Sequence, residues 1–556
     1  MQMKLNKTML VLLLSATHLL AQDIGTTEVR VVEGFKPTIP QATRLDEKAT
    51  FTDTIKKEKS QEYTVIATDL RSDYKTRPLK AAKVKQDKIP QLYGTKVAIA
   101  FGNAFTTKAS VVHNSMRSKT LSYGALLNHS ANKYYIDEDI AKNSKNTMHF
   151  YAKKISSNHI FMGSLNYDRR TALYWNTDFS SSTKEKYRNR FAYTKFSISS
   201  ISTDKTSDKM IRNTTFFISD LNERSENQIH LSSNLSRTIN GLPFNLEIEL
   251  NDYLRYNNSD SQLENTDIKI LGFSPATSFK RFGIDFDLAV DLDFMSNDSP
   301  IGFFPQIKAT KDLVQDVLLV HAGLRHSEQK HTLKSLSDDN PYIHSFGTNQ
   351  SILGISTFLQ ELRFTDTQEL YLSMRNVLGV DEVFEGSVAY GTVQNFTHFV
   401  GLTTDNYNRF QVNYVDVNQL HATANYDREI NSIISLNVNA EYYKWDKEVY
   451  HKPNLSFAIS APVNLRNKIK VAPSLAYIGK RKSINYSVSE LGLPLYTPLS
   501  KELSPQFHAN LGLYYSYSKQ LSAYFQFNNL TNSKQELWSG YKEVGFNGVF
   551  GLSYSF

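Results

Sequence analysis

Asp285, Asp287, Asp291 and Asp293 fall on one parity of a stretch whose other parity reads Ile284, Phe286, Leu288, Val290, Leu292, Phe294. Glu247 and Glu249 repeat the pattern between Leu246, Ile248 and Leu250. Residues two apart on a strand share a face, so these carboxylates would line one side of a sheet. A water-facing row of carboxylates favours cations and could hold a divalent ion through oxygen ligands. The alternative chemistry is cross-strand charge compensation. Lys308, His321 and Arg325 fall on the polar parity of the following segments, where they could neutralise the acids. We therefore carry the six as a candidate acidic stripe and assign no metal.

Other candidates for chemistry dissolve on inspection. His321, His326 and His331 recur every fifth residue, which on a strand sends consecutive members to opposite faces and prevents shared zinc ligation. Asp338-Asp339-Asn340-Pro341 reads as a turn, since a calcium loop would need more oxygen ligands in register. There is no Gly-x-Ser-x-Gly elbow, phosphate-cradling glycine loop or zinc signature. With no cysteine, disulfides and cysteine metal sites are excluded. The expectation is a non-enzyme without catalytic residues or cofactor. The net charge of +8 is spread along the chain rather than gathered into a basic face, which argues against nucleic-acid binding.

The elements that would position the stripe are strands of one kind. Phe244–Asn251, Ile284–Phe294, Ile434–Tyr443, Phe507–Tyr517 and Leu521–Phe527 all alternate apolar with small or polar residues. Each has the length a tilted strand needs to cross a bilayer. No run of about 18 apolar residues follows the N-terminus, which excludes a helical membrane protein. Thirty-one Tyr and 33 Phe against three Trp supply the aromatics that interfacial girdles use. Near the C-terminus, tight turns at Lys519-Gln520, Arg466-Asn467 and Glu429-Ile430-Asn431 alternate with longer loops at 531–543, 483–501 and 446–451. Short periplasmic turns and long external loops are the arrangement of outer-membrane barrels.

The chain ends Phe546-Asn547-Gly548-Val549-Phe550-Gly551-Leu552-Ser553-Tyr554-Ser555-Phe556. Tyr554 and Phe556 lie on the apolar parity, and a terminal aromatic is what the outer-membrane assembly machinery reads. The predicted fold is all-β: a transmembrane antiparallel barrel of about 22 strands, with roughly 16 to 24 admissible because boundaries are the weakest reading. Pro305 and Pro473 are expected to interrupt two segments. Residues 1–21 read as a signal peptide, with Lys4 and Lys7 ahead of the apolar Met9–Leu14 and cleavage after Ala21. Residues 22–94, rich in Lys, Glu, Thr and Pro, read as an extended periplasmic arm, and 95–556 as the barrel in outer-membrane lipid.

Several motifs carry a family likeness. Leu521–Leu530, Thr531-Asn532, Leu537-Trp538-Ser539-Gly540-Tyr541 and Gly545–Phe556 resemble the last hairpin of TonB-dependent receptors. The stretches Val29-x-Val31-Val32-x-x-Phe35-x-Pro37-Thr38-Ile39 and Ser335-Leu336-x-x-Asp339-Asn340-Pro341-Tyr342 are similar to a Bacteroidetes group catalogued with those receptors. The resemblance implies solute binding or passage at the cell surface. It also implies a TonB-like or other periplasmic partner, which residues 22–94 would meet. Glu28, Val29, Arg30, Val31 and Val32 form the candidate docking strand, pairing by β-addition, with Tyr63–Ala67 a second such stretch and β-prone linker the favoured plain reading of both. One departure stands out: a transporting receptor carries a folded plug before its barrel, and residues 22–94 show no plug-like pattern. The competing expectation is a non-transporting scaffold barrel of an assembly or secretion complex.

Overall fold

The computed structural model describes residues 92–556 apart from 137–138, 175–187, 204–209, 223–225, 256–267, 297–300, 344–361, 404–407 and 488–497. The signal peptide and the candidate docking strand Glu28–Val32 lie outside the described residues. In the first half of the wall the strands are β1 (Thr95–Gly102), β2 (Thr106–Asn114), β3 (Leu121–Ile136), β4 (Asp139–Ile155), β5 (His159–Leu173) and β6 (Arg188–Ser202). They continue as β7 (Ile211–Asn222), β8 (Glu226–Ile239), β9 (Leu242–Arg255), β10 (Ile268–Arg281), β11 (Ile284–Met295), β12 (Ile301–Val314) and β13 (Leu318–Lys330). A helix α1 (Leu333–Asp339) precedes β14 (Phe364–Gly379), β15 (Glu382–Thr403), β16 (Asn408–Glu429), β17 (Ser435–Trp445), β18 (Leu455–Ser460) and its short continuation β19 (Val463–Leu465). Then come β20 (Ile469–Ile478), the hairpin β21 (Arg481–Ser487) and β22 (Leu499–Leu503), β23 (Gln506–Ser516), β24 (Leu521–Asn528), the hairpin β25 (Glu536–Trp538) and β26 (Tyr541–Lys542), and β27 (Asn547–Ser555).

Each wall strand pairs antiparallel with its neighbours, and β27 closes on β1 through Phe550↔Phe101 and Leu552↔Ile99. The result is a closed barrel of 22 strands. Period-2 alternation sets its two faces. Phe101, Phe150, Phe196, Phe216, Phe550 and Leu552 stand exposed on the outside, whereas cross-strand hydroxyl and amide pairs such as Ser110–Asn128, Ser164–Ser197 and Ser522–Ser553 stand on the inside. An outward apolar face on a sheet closed into a ring is the structure lipid requires, because an unpaired backbone group there costs several kcal/mol.

One end of the barrel carries tight turns. Asn240-Gly241 and Phe282-Gly283 both have positive φ at their two central residues, the geometry that matches strand twist in two-residue hairpins. The other end carries the long connections 331–363, 479–505 and 529–546. Neither Pro305 nor Pro473 ends a strand. Pro305 pairs with Val290 within β12, and Pro473 with Leu511 within β20. Asp338 and Asp339 close a helix rather than forming the turn expected of them.

The wall leaves its cylinder at one place. The β12–β13 ladder stops at Ile307↔Leu324, although β12 begins at Ile301 and β13 runs on to Lys330. The β13–β14 ladder continues unbroken to Lys330↔Phe364. Beyond Gly323 this pair folds inward, and Phe364 packs against Tyr253, Ile268, Ile270 and Met295 on the inner faces of β9, β10 and β11. The cause is readable in the side chains. A straight continuation would put His326, Glu328 and Lys330 on the lipid parity, where a charge costs roughly 2–4 kcal/mol. Folding inward sets His326 against Asp291 and Lys330 against the Leu362 carbonyl instead.

Candidate functional site

The long-loop end is closed over by a cap with its own core. The outer part of β15, beyond the bulge at Val393/Phe396, pairs with β16 on one edge and parallel with β21 on the other. β21 in turn pairs with β22, and Ile343 bridges Phe410 at the start of β16. This small sheet packs with α1 and the β25–β26 hairpin. Leu333, Leu336, Ile343, Phe399, Phe410 and Tyr541 form one buried cluster with Phe191 and Leu221 of the opposite wall.

The wall holds α1 at both poles. Glu226 of β8 accepts from the Leu333 N–H at 3.0 Å, and Arg170 of β5 donates to the carbonyls of Ser337 and Asp338 at 3.2 and 2.9 Å. An acid at the helix start and a cation at its end both suit the dipole and the orphan backbone groups. Lys334 reaches Asp168 of β5 at 3.2 Å. Thr332 caps the helix, its hydroxyl accepting from the Ser335 N–H. Asn189 of β6 donates to the carbonyls of Pro341 and Ile343, and Tyr174 to that of Ile343. Tyr342 then stacks on Tyr541 with ring centroids 3.7 Å apart. A chain leaving β13 is thus fastened to β5, β6 and β8, and to the last loop, across the mouth. Tyr342→Ala should cost about 3 kcal/mol of cap stability by emptying this contact. The loss would show as faster amide exchange in 333–343 with the barrel amides unchanged.

Three histidines are buried in the cap. His331 Nε2 lies 2.6 Å from the hydroxyls of Thr365 and Thr397. His398 Nε2 accepts from the Asn413 amide at 3.0 Å. His451 donates through Nδ1 to the Phe399 carbonyl at 3.0 Å, and its Nε2 accepts from the Ser539 N–H at 3.4 Å. Burial, aided by Lys330 and Lys452, pushes the His331 imidazole down to about 4. Burial likewise holds His451 at about 4, against the opposing pull of its bond to Phe399.

The structure places the six stripe carboxylates on the inner faces of β9 and β11, with Glu249 and Asp293 both in register with Gly272. They do not form one array. Asp285 pairs with Lys280 at 3.3 Å and Asp287 with Lys308 at 3.8 Å, nearer the turn end. Glu247 lines a cavity of about 420 Å³ with Asn234, Asn245, Ser274 and Gln306. Asp291, Asp293 and Glu249 lie beneath the infolded pair. There His326, only 4% exposed, meets Asp291 at 3.2 Å and Asp366 at 3.9 Å and stacks on Phe304. Gln306 also donates to Asp291, and His230 faces Glu249 at 3.4 Å. Among the described residues no group of three His, Asp or Glu side chains is arranged for a metal ion. His321 instead meets the Thr310 hydroxyl, and Arg325 pairs with Glu369 at 2.8 Å. The three histidines of the five-residue spacing thus have separate partners. Tyr554 and Phe556 stand exposed on the outer face, with the Phe556 backbone tied to Thr95.

Sequence reasoning missed the cap. Its anchors, Arg170, Asn189 and Glu226, are ordinary polar residues at the outer ends of strands, and no local pattern marks them. The parity slip Leu324-Arg325-His326 was the available signal for the infolding.

These features define the class: a large transmembrane antiparallel barrel with a loop-built cap. No protein-family model matches the chain, and no curated protein matches it in sequence. Solved structures match in fold. The ferric enterobactin receptor PfeA of Pseudomonas aeruginosa, in complex with BCV-L6, superposes with a TM-score of 0.59 at 12% identity, covering 83% of this chain and 81% of that one. The siderophore receptor PirA of Acinetobacter baumannii gives 0.59 at 10% identity, covering 84% and 81%. The FpvAI–pyocin S2 complex gives 0.58 at 10%, covering 85% and 71%. At such identities the likeness is one of fold: the chain has the barrel architecture of these receptors.

Proposed function

We propose that the protein is an outer-membrane receptor-like barrel for binding or passage of a solute at the cell surface, with the cap as its outer gate. The observation that carries this reading is the fastening of residues 331–343 to walls on both sides of the mouth. A lining of hydroxyls, amides and paired charges below that closure suits a polar solute. The likeness to siderophore receptor barrels supports the cell-surface location and the orientation with the cap outside. In this reading residues 1–21 are the export signal. Residues 22–94 are a periplasmic arm that meets a TonB-like or other envelope partner through Glu28–Val32, and Tyr554 and Phe556 are the assembly signal. Among the described residues no contact favours the scaffold alternative.

Planar-bilayer recording tests the gate. The unmodified barrel should conduct little. A variant with residues 332–343 replaced by a Gly-Ser linker should show long-lived open steps. A replaced-cap barrel that still migrates as folded but stays silent would overturn the reading.

A further inference from the structure

The three buried cap histidines have unusual surroundings. They come from different elements: the end of β13, the outer part of β15, and the loop 446–454. The charged groups that bear on them are Lys330, Lys452 and Arg481, all cationic. The remaining facing groups are Thr365, Thr397, Asn413, Tyr414, Tyr450, Trp538 and the Ser539 backbone. The carboxylates of the same loops are engaged elsewhere: Glu448 by Lys482, Glu536 by Lys501, and Glu543 by His508 at 3.5 Å. No acid among the described residues is placed to stabilise a protonated imidazole in this group.

His451 fixes the direction of the effect. Its Nδ1 already donates to the Phe399 carbonyl, so the ring is the tautomer whose Nε2 accepts from the Ser539 N–H. A proton added at Nε2 would point one N–H at another and break the link between the loop 446–454 and the β25–β26 hairpin. His398 shares the second half of this arrangement, its Nε2 accepting from the Asn413 amide while its buried Nδ1 has no hydrogen-bond partner among the described residues. Tyr541 of that hairpin is the stacking partner of Tyr342, so the break reaches the segment that bridges the mouth.

We propose that the cap is an acid-released gate, in which protonation of His331, His398 and His451 unfastens the outer closure while the barrel wall stays intact. The inference rests on the gate reading above. The sign is set by linkage. Neutral burial makes the closed state bind fewer protons than the open one, so closure is fully present above the ordinary histidine value of 6.5 and is lost as pH falls toward about 4. Each of His331 and His451 then shifts the closed-to-open ratio by tens of fold, on the order of 80 at pH 4.5.

The chain has no cysteine, so Asp339→Cys gives a single attachment point for a nitroxide on the exposed side of the helix end. In full-length protein in lipid the label should be immobile at pH 7.5, mobile at pH 4.5, and immobile again on return. The same label in a His331→Gln/His398→Gln/His451→Gln background should stay immobile at both values. Should that variant fail to fold, His451→Gln alone should shift the midpoint of mobilisation to lower pH. An unmodified cap that does not mobilise by pH 4.5, or a glutamine variant that mobilises like the parent, would overturn the proposal. Because the label reports the cap and not passage, a mobile cap on a non-conducting barrel would count against the gate reading alone.

Discussion

Arg170→Ala is expected to release the helix Leu333–Asp339 and raise amide exchange across 333–340 by on the order of 10- to 100-fold. The guanidinium makes two charge-assisted hydrogen bonds to the last helical carbonyls, together about 1.5–3 kcal/mol. Glu226→Ala acts at the opposite pole, leaving the buried Leu333 N–H without its acceptor at about 1–3 kcal/mol. A seven-residue helix has almost no stability of its own, so these contacts decide whether it exists. The double variant should fall short of the summed effect, since both residues hold the same unit. Exchange of the strand amides provides the control. If 333–340 stays protected in the double variant, the cap is fastened by its apolar core alone.

Gly323→Val should be among the most damaging single changes in the wall. A Cβ at this position would lie 1.9 Å from the Ile307 carbonyl oxygen, a backbone atom that cannot yield. Glycine is required because β13 begins to cross over β12 there, closer than any side chain permits. Overpacking of this order costs about 3 kcal/mol or more, and the strain falls on the ladder Ile307↔Leu324 to Val314↔Leu318. Loss of the heat-modifiable folded band in SDS gels, or a lowered urea midpoint in lipid, would register it. Gly163→Val, where a Cβ has only Ser197 O at 4.0 Å, should be tolerated.

Much of the wall was legible before any coordinates. Ile284–Phe294 and Phe507–Tyr517 announce their two faces by period 2 alone, and turns such as Arg466-Asn467 punctuate them where both residues take positive φ. The number of strands followed from that regularity. What stayed hidden depends on contacts between residues far apart in the chain. Nothing near Glu226 forecasts a helix start more than a hundred residues later, and Asp338-Asp339-Asn340-Pro341 looks like a turn when Arg170 is out of view. The carboxylate row was visible as a row, yet its division could not be read. Parity places Asp285 and Asp291 on one face equally, while the infolding of β13–β14 leaves one beside Lys280 and brings the other against His326.

The junction between the first and last strands has a temporal consequence. Thr95 and Phe556 exchange backbone hydrogen bonds in both directions. The ring therefore cannot be zipped until Val549–Phe556 is in place against the first strand. Until then the first and last strands each present an unpaired ladder edge, the kind of surface that invites pairing with another chain. Loss of the whole strand Asn547–Ser555 would leave a sheet with two exposed ends rather than a slightly smaller cylinder.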